Sequence, residues 1–135
     1  MKNLLICMLF CSLLACKDTD TTPKSAIVGK WKLVTYCRPL EDKACNKITV
    51  PAEKYVFVEF SNNGEFNEYY KGTIPAEHAF LGCGMGMYEI ENGDVRIRAM
   101  CMSSLQGALI KIKSISATQL VMSYLENNEY VFERL

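Results

Sequence analysis

From Ile27 to the end of the chain, apolar residues fall in short alternating runs, and no window of about eleven residues or more carries a helical stripe. Alternation puts one face of each run in a core, which predicts strands near 27–37, 54–60, 65–71, 85–91, 94–102, 108–114, 119–125 and 129–134. The connecting pieces carry turn chemistry: Ser61-Asn62-Asn63-Gly64, Glu91-Asn92-Gly93-Asp94, Ser116-Ala117-Thr118 and Glu126-Asn127-Asn128-Glu129. Tight turns join neighbours antiparallel, in an up-and-down meander. Such a meander either leaves two bare edges or closes on itself, and closure satisfies the edge groups. The expectation is an all-β domain over residues 26–135, an eight-stranded antiparallel barrel. At that strand number the lumen is either filled by side chains or holds one small ligand.

The first residues follow another pattern. Met1-Lys2-Asn3 is a short basic start, and Leu4 to Leu14 is apolar apart from Ser12 and the small, weakly polar cysteines. The run is too short for a bilayer-spanning helix of about 20 residues and reads as the apolar region of a signal peptide. Its end, Leu13-Leu14-Ala15-Cys16, resembles the lipobox of bacterial lipoproteins, which implies cleavage after residue 15 and a lipid-modified Cys16. Residues 16–25 then form a polar tether, since Lys17-Asp18-Thr19-Asp20-Thr21-Thr22-Pro23-Lys24-Ser25 is too hydrophilic to join a core. Acyl chains contribute about 0.8 kcal/mol per buried methylene, enough in sum to anchor the domain to a membrane. The expected place is the outer membrane, and the Lys17-Asp18 pair resembles the tag that sends some Gram-negative lipoproteins to the cell surface. The periplasmic face and the outer surface both stay open.

Removing residues 1–15 leaves 120 of 135, enough for one compact domain. Loss of Lys2 turns fifteen Lys and Arg into fourteen against fifteen Asp and Glu, so there is no basic field for nucleic acid. Of seven cysteines, Cys7 and Cys11 leave with the signal and Cys16 carries lipid. Cys37, Cys45, Cys83 and Cys101 remain, an even set that in an exported chain reads as two disulfides with three possible pairings. Cys37 with Cys45, flanking a short polar loop, is the economical pair, leaving Cys83 with Cys101. No metal or cofactor site is expected: C-x-x-C does not occur and His78 is the sole histidine.

Three stretches carry a family likeness. Gly29-Lys30-Trp31-Lys32-Leu33 heads the first strand, Phe57-Val58-Glu59-Phe60-Ser61-Asn62-Asn63-Gly64-Glu65-Phe66 forms a strand, turn and strand, and Tyr130-Val131-Phe132-Glu133-Arg134 closes the chain. Together they resemble the small lipocalin-like lipoproteins of Gram-negative bacteria. The resemblance implies a structural role for Trp31 and Arg134 at the barrel floor. Physical reasoning agrees, because a closed barrel brings the last strand beside the first. Gly29 would let the backbone enter closely, Trp31 would close the floor, and Arg134 would lie over the indole, a contact contributing about 0.5–2 kcal/mol. The chain is shorter than true lipocalins and has no C-terminal helical pattern, which argues against deep retinoid-type binding.

The hairpin from Met85 to Met102 is the most unusual segment. A two-residue turn at Asn92-Gly93 sets Tyr88 opposite Ile97, Glu89 opposite Arg96 and Ile90 opposite Val95. The core face is then Tyr88, Ile90, Val95, Ile97, Ala99 and Cys101, while Met85, Met87, Met100 and Met102 gather on the other with Glu89, Arg96 and Arg98. This register puts Cys83 and Cys101 on opposite faces unless a bulge among Gly82, Gly84 and Gly86 switches the parity. Three readings of the methionines compete: soft ligands for Cu(I), a partner-binding patch, and plain packing, which is the commonest use of methionine.

Other candidates are weaker. Gly82-Cys83-Gly84-Met85-Gly86 superficially resembles a phosphate loop but has no helix after it. His78 beside Glu77 reads as a solvated loop histidine. No Ser-His-Asp set or carboxylate pair can be placed, so an enzyme is not expected. The aromatics Tyr55, Phe57, Phe60, Phe66, Tyr69, Tyr70, Tyr88, Tyr124 and Tyr130 read as core and rim before they read as a pocket lining. The function expected is binding by a membrane-anchored envelope lipoprotein. The first expected partner is a small apolar ligand carried by the barrel; the alternative, with a filled barrel, is another envelope protein, which the chain meets as an inhibitor or accessory subunit through the loop 72–84 and the methionine face.

Overall fold

The computed structural model describes residues 24–39 and 45–135. Alternating runs become strands where the alternation placed them: β1 Gly29–Cys37, β2 Ile48–Thr49, β3 Tyr55–Phe60, β4 Glu65–Lys71, β5 Met85–Glu91, β6 Asp94–Ala99, β7 Ala108–Ile115, β8 Gln119–Ser123 and β9 Glu129–Arg134. From β3 onward each strand pairs antiparallel with the next, β1 pairs with β3, and β9 returns to β1. The meander therefore closes as an eight-stranded barrel. The two-residue β2 adds to β1 at Thr35 and Tyr36, beyond the part of β1 that pairs with β3.

Inward positions follow the period of two. Trp31, Leu33, Val56, Val58, Phe60, Phe66, Ile97, Ile110, Leu120, Met122 and Phe132 are all fully buried, so side chains fill the lumen. A bulge at Val34, where Leu33 pairs with Phe132 and Thr35 with Val131, switches the parity of β1. Tyr36 then joins Leu33 on the inside, where its ring stacks near-parallel with Tyr130.

Several boundaries differ from the sequence expectation: β3 and β7 each by one residue, and β8, which ends at Ser123 rather than 125, by two. Lys24–Ile27 forms one turn of helix, α1, so β1 begins at Gly29 rather than Ile27. Ile27 is buried because it caps the barrel floor. Strand β6 ends at Ala99 rather than 102, since Met100 and Cys101 turn away from the sheet. Cys101 is accordingly exposed, not on the core face, and Met102 folds back to pack on the core, leaving the outer methionine group. The lipobox, Cys16 and the tether through Pro23 lie outside the described residues.

The floor shows why the glycine, tryptophan and arginine stand together. Trp31 is paired directly with Arg134 across β1 and β9, and the guanidinium carbon sits 4.0 Å from the indole centre. The indole N–H donates to the Ile27 carbonyl at 2.8 Å. The guanidinium donates to the carbonyls of Val28 at 2.9 Å, and of Ala26 and Ala117 at 2.8 Å each. One side chain thus ties α1, the β7–β8 turn and both closing strands. Gly29 has φ +134°, and a Cβ there would lie 2.7 Å from Arg134 Nη1. Any other residue would be strained at this φ and would push the guanidinium from its hydrogen bonds.

Candidate functional site at the barrel mouth

The opposite end carries the long loops, and its construction begins with one carboxylate. Along β4 the period of two points Phe66, Glu68 and Tyr70 inward, so Glu68 enters the barrel end and is only 3% exposed. A buried carboxylate needs donors. Glu68 accepts from the Tyr70 hydroxyl at 2.6 Å and from the backbone N–H groups of Phe80, Leu81 and Gly82 at 2.8, 2.9 and 3.0 Å. Three successive amides of the loop 72–84 are thereby drawn over the mouth. Burial, reinforced by the bond to Glu68, pushes the Tyr70 phenol far above its ordinary range.

The loop so held drives Phe80 into the barrel. Its ring is buried and meets Tyr130 and Phe132 edge-on, at centroid distances of 4.9 and 5.3 Å. Arg38, just past β1, fastens the same loop from the other side. It donates to the Tyr130 hydroxyl at 2.9 Å, to the Phe80 carbonyl at 3.3 Å and to the Ala79 carbonyl. Burial holds the Tyr130 phenol above its ordinary range, partly opposed by the Arg38 charge. His78 is not a free loop histidine: its Nδ1 lies 3.1 Å from the Tyr36 hydroxyl and its ring meets that tyrosine edge-on. Glu77 is held apart from it by Lys54 and Thr73, whose side chains donate to its carboxylate at 2.8 Å each and keep its acidity high.

What stays open is a groove of about 380 Å³ beside the plug, lined by Arg38, Pro39, Phe80, Leu81, Tyr124, Leu125, Glu126, Asn128 and Tyr130. Leu125 on its rim is 62% exposed. The rim is braced by the Asn128 side chain, which accepts from the backbone N–H groups of Tyr124 and Leu125 at 2.8 and 3.0 Å. A second groove of about 540 Å³ shares Tyr124, Leu125 and Glu126 but runs outside the barrel along Lys111 and Lys113. The 124–127 loop is therefore a ridge between two concavities.

The other candidates fall in separate places. Phe60, Phe66, Tyr88 and Tyr130 are core. Tyr55, Phe57 and Tyr69 stack on the outside, with the Lys32 ammonium 4.2 Å from the Tyr55 ring centre and that of Lys30 5.2 Å from Tyr69. Cys37 is bonded to Cys45 and Cys83 to Cys101, with Cα separations of 5.5 and 5.2 Å. The second pair forms without changing the hairpin register, which runs as expected from Gly86–Ala99 to Glu91–Asp94. Both cysteines lie beyond the ladder, where Gly82 and Gly84, at φ +74° and +71°, turn the chain. Among the described residues no three His, Cys, Asp or Glu side chains gather as a metal set. Glu68, Arg38 and Phe80, which build the mouth, were not singled out in the sequence. Only Glu68 left a signal there, as the one acidic residue on the inward parity of β4.

Eight antiparallel strands closed into a barrel, with a plugged floor and a looped mouth, make a lipocalin-like architecture. The chain belongs to the lipocalin-like domain family, whose model matches residues 27–122. It is similar to the crystal structure of a lipocalin-like protein from Bacteroides uniformis, with 19% identity over 82% of this chain and 99% of the other and a TM-score of 0.54. An uncharacterised protein from Bacteroides eggerthii matches at 16% identity, 81% and 99% coverage and a TM-score of 0.44. No curated protein matches this chain.

Proposed function

We propose that the chain is a lipid-anchored envelope lipoprotein of the outer membrane, acylated on Cys16, whose barrel is a filled scaffold for binding at its mouth. Its work is recognition of another envelope protein, through the ridge of Tyr124 and Leu125 and the groove beside Phe80, rather than carriage of a ligand inside. The observation that carries this reading is the packing of the interior: Phe80, held by the Glu68 cage, fills the mouth end while Trp31 fills the floor. A braced rim that exposes Tyr124 beside Leu125 suits a protein contact, because tyrosine is among the residues that supply most of the energy at such contacts.

A second reading keeps a small apolar ligand, confined to the mouth. The groove volume favours it, because small-molecule sites begin at about 300 Å³. Native mass spectrometry of the full chain, extracted in detergent from membranes of its own cells, separates the two. The first reading predicts an acyl mass that disappears in Cys16→Ser and no small molecule bound. It also predicts a crosslink to an envelope protein from a photoreactive group at position 125 but not at position 92. A reproducible small apolar molecule, lost in Leu125→Glu, would replace the first reading with the second. An unacylated Cys16 would overturn the anchor.

A further inference from the structure

We propose that Met85, Met87 and Met100 form a binding site for a soft monovalent cation of the Cu(I) class on the outer face of the barrel. The three thioethers line one groove of about 450 Å³ with Glu65 and Asn67, and are 56%, 51% and 78% exposed. Packing does not account for them. Met122 is fully buried and Met102 packs on the core, so the chain uses those two as filler, while these three make no core.

The backbone brings the three side chains together. Met85 and Met87 share the outward parity of β5, and the Met100 N–H donates to the Met85 carbonyl at 2.9 Å, which makes Met100 the cross-strand neighbour of Met85. Met100 lies past the last ladder pair, Gly86–Ala99, but that bond keeps it against Met85, and all three side chains line the same groove, which flexible methionines can close around one ion. Two features fix the walls. Gly86, between the two methionines, is the one residue that fits, since a Cβ there would strike the Arg98 carbonyl and Ala99 Cα. Beyond the ladder the Cys83–Cys101 disulfide ties the same two segments covalently.

The ligand chemistry selects the ion. Thioethers are neutral and polarisable, and suit Cu(I) over hard divalent ions. Glu65, paired directly with Met87, supplies a negative charge at the wall. Two cations stand near the groove: Arg98, across from Met87, has its Nη2 donating to Glu89 at 2.7 Å, and the Lys24 ammonium, beside Gly64 as Met87 Cε is, lies 5.5 Å from the Tyr88 ring centre. The four described cysteines are held in disulfides and cannot compete as thiolates. A thioether carries no proton to lose, so binding by this set is independent of pH where thiolate, imidazole or carboxylate sites are not.

The test uses the full chain in detergent, with thiols outside the two disulfides blocked by alkylation. It is titrated with Ag(I), which needs no reductant, and then with Cu(I). Isothermal titration and the methionine methyl resonances report together. The expected result is one ion per chain, with shifts at Met85, Met87 and Met100 and an affinity that changes less than about threefold between about pH 7 and pH 5. Met85→Leu and Met100→Leu each weaken binding by on the order of tenfold or more, and leave the unfolding midpoint unchanged because Leu and Met are near-isosteric. Absence of binding, undiminished binding in the triple Met→Leu variant, or a steep loss on acidification would each overturn the site.

Discussion

Replacing Trp31 with alanine removes the largest buried side chain, and the structure sets the size of the effect. Truncating a buried Trp to Ala destabilises by about 3–5 kcal/mol when the cavity cannot collapse. Here α1 above and Arg134 beside it are held by their own hydrogen bonds. Loss of the indole bond to Ile27 adds about 1 kcal/mol and loss of the guanidinium contact about 0.5–2 kcal/mol. These contributions share neighbours and do not add fully, so about 4–6 kcal/mol is expected in total. With a urea dependence of about 2 kcal/mol per molar, the midpoint falls by about 2–3 M. Far-ultraviolet circular dichroism is the assay, because the variant lacks the sole tryptophan. Trp31→Phe, which keeps most of the bulk, is expected to lose about half as much, and a double-mutant cycle with Arg134→Met isolates the guanidinium contact. A midpoint within about 0.5 M of wild type for Trp31→Ala would refute the floor as described.

Three further outcomes follow from the same geometry. Gly29→Ala places a Cβ against Arg134 at a positive φ and is expected to destabilise by about 1–3 kcal/mol, read from the urea midpoint. Glu68→Gln weakens the charge-assisted bonds across the mouth, so amides of Phe80, Leu81 and Gly82 should exchange hydrogen faster by about ten- to a hundredfold while those of β1 and β9 keep their rate; uniform acceleration would mean the cage supports the whole barrel. Tyr70, Tyr88 and Tyr130 hold their protons more tightly folded than unfolded, chiefly through burial. Their contribution to stability is full below about pH 10 and is lost as the pH rises beyond it. Urea midpoints should therefore drop between about pH 9 and pH 11, less so in Tyr130→Phe, and an unchanged slope in that variant would remove Tyr130 from the explanation.

The sequence was readable where one physical rule governed alone. Alternation located the strands, and Asn92-Gly93 set the β5–β6 register, because a two-residue turn leaves no freedom in the pairing. Gly29, Trp31 and Arg134 were legible through closure, which forces β9 beside β1. Legibility ended where backbone leaves the ladder. Cys83 and Cys101 looked incompatible on parity, yet parity has no meaning beyond Met85 and Ala99, where Gly82 and Gly84 redirect the chain. The mouth was hidden for a similar reason: Phe80 sits in a loop with no period, and its burial depends on Glu68, twelve residues earlier. Glu68 itself sits between Phe66 and Tyr70 on the inward parity, a buried charge that required partners.

Side chains fill the barrel from floor to mouth, and the proposed recognition at its surface rests on that packing. Xenon tests it directly, since apolar voids of useful size take up the gas while packed cores do not. In methyl spectra recorded under xenon pressure, the resonances of Val58, Ile97, Ile110 and Leu120 are predicted to move only in proportion to pressure. Saturable shifts at the methyl groups of those four residues would reveal a usable lumen and contradict the filled interior.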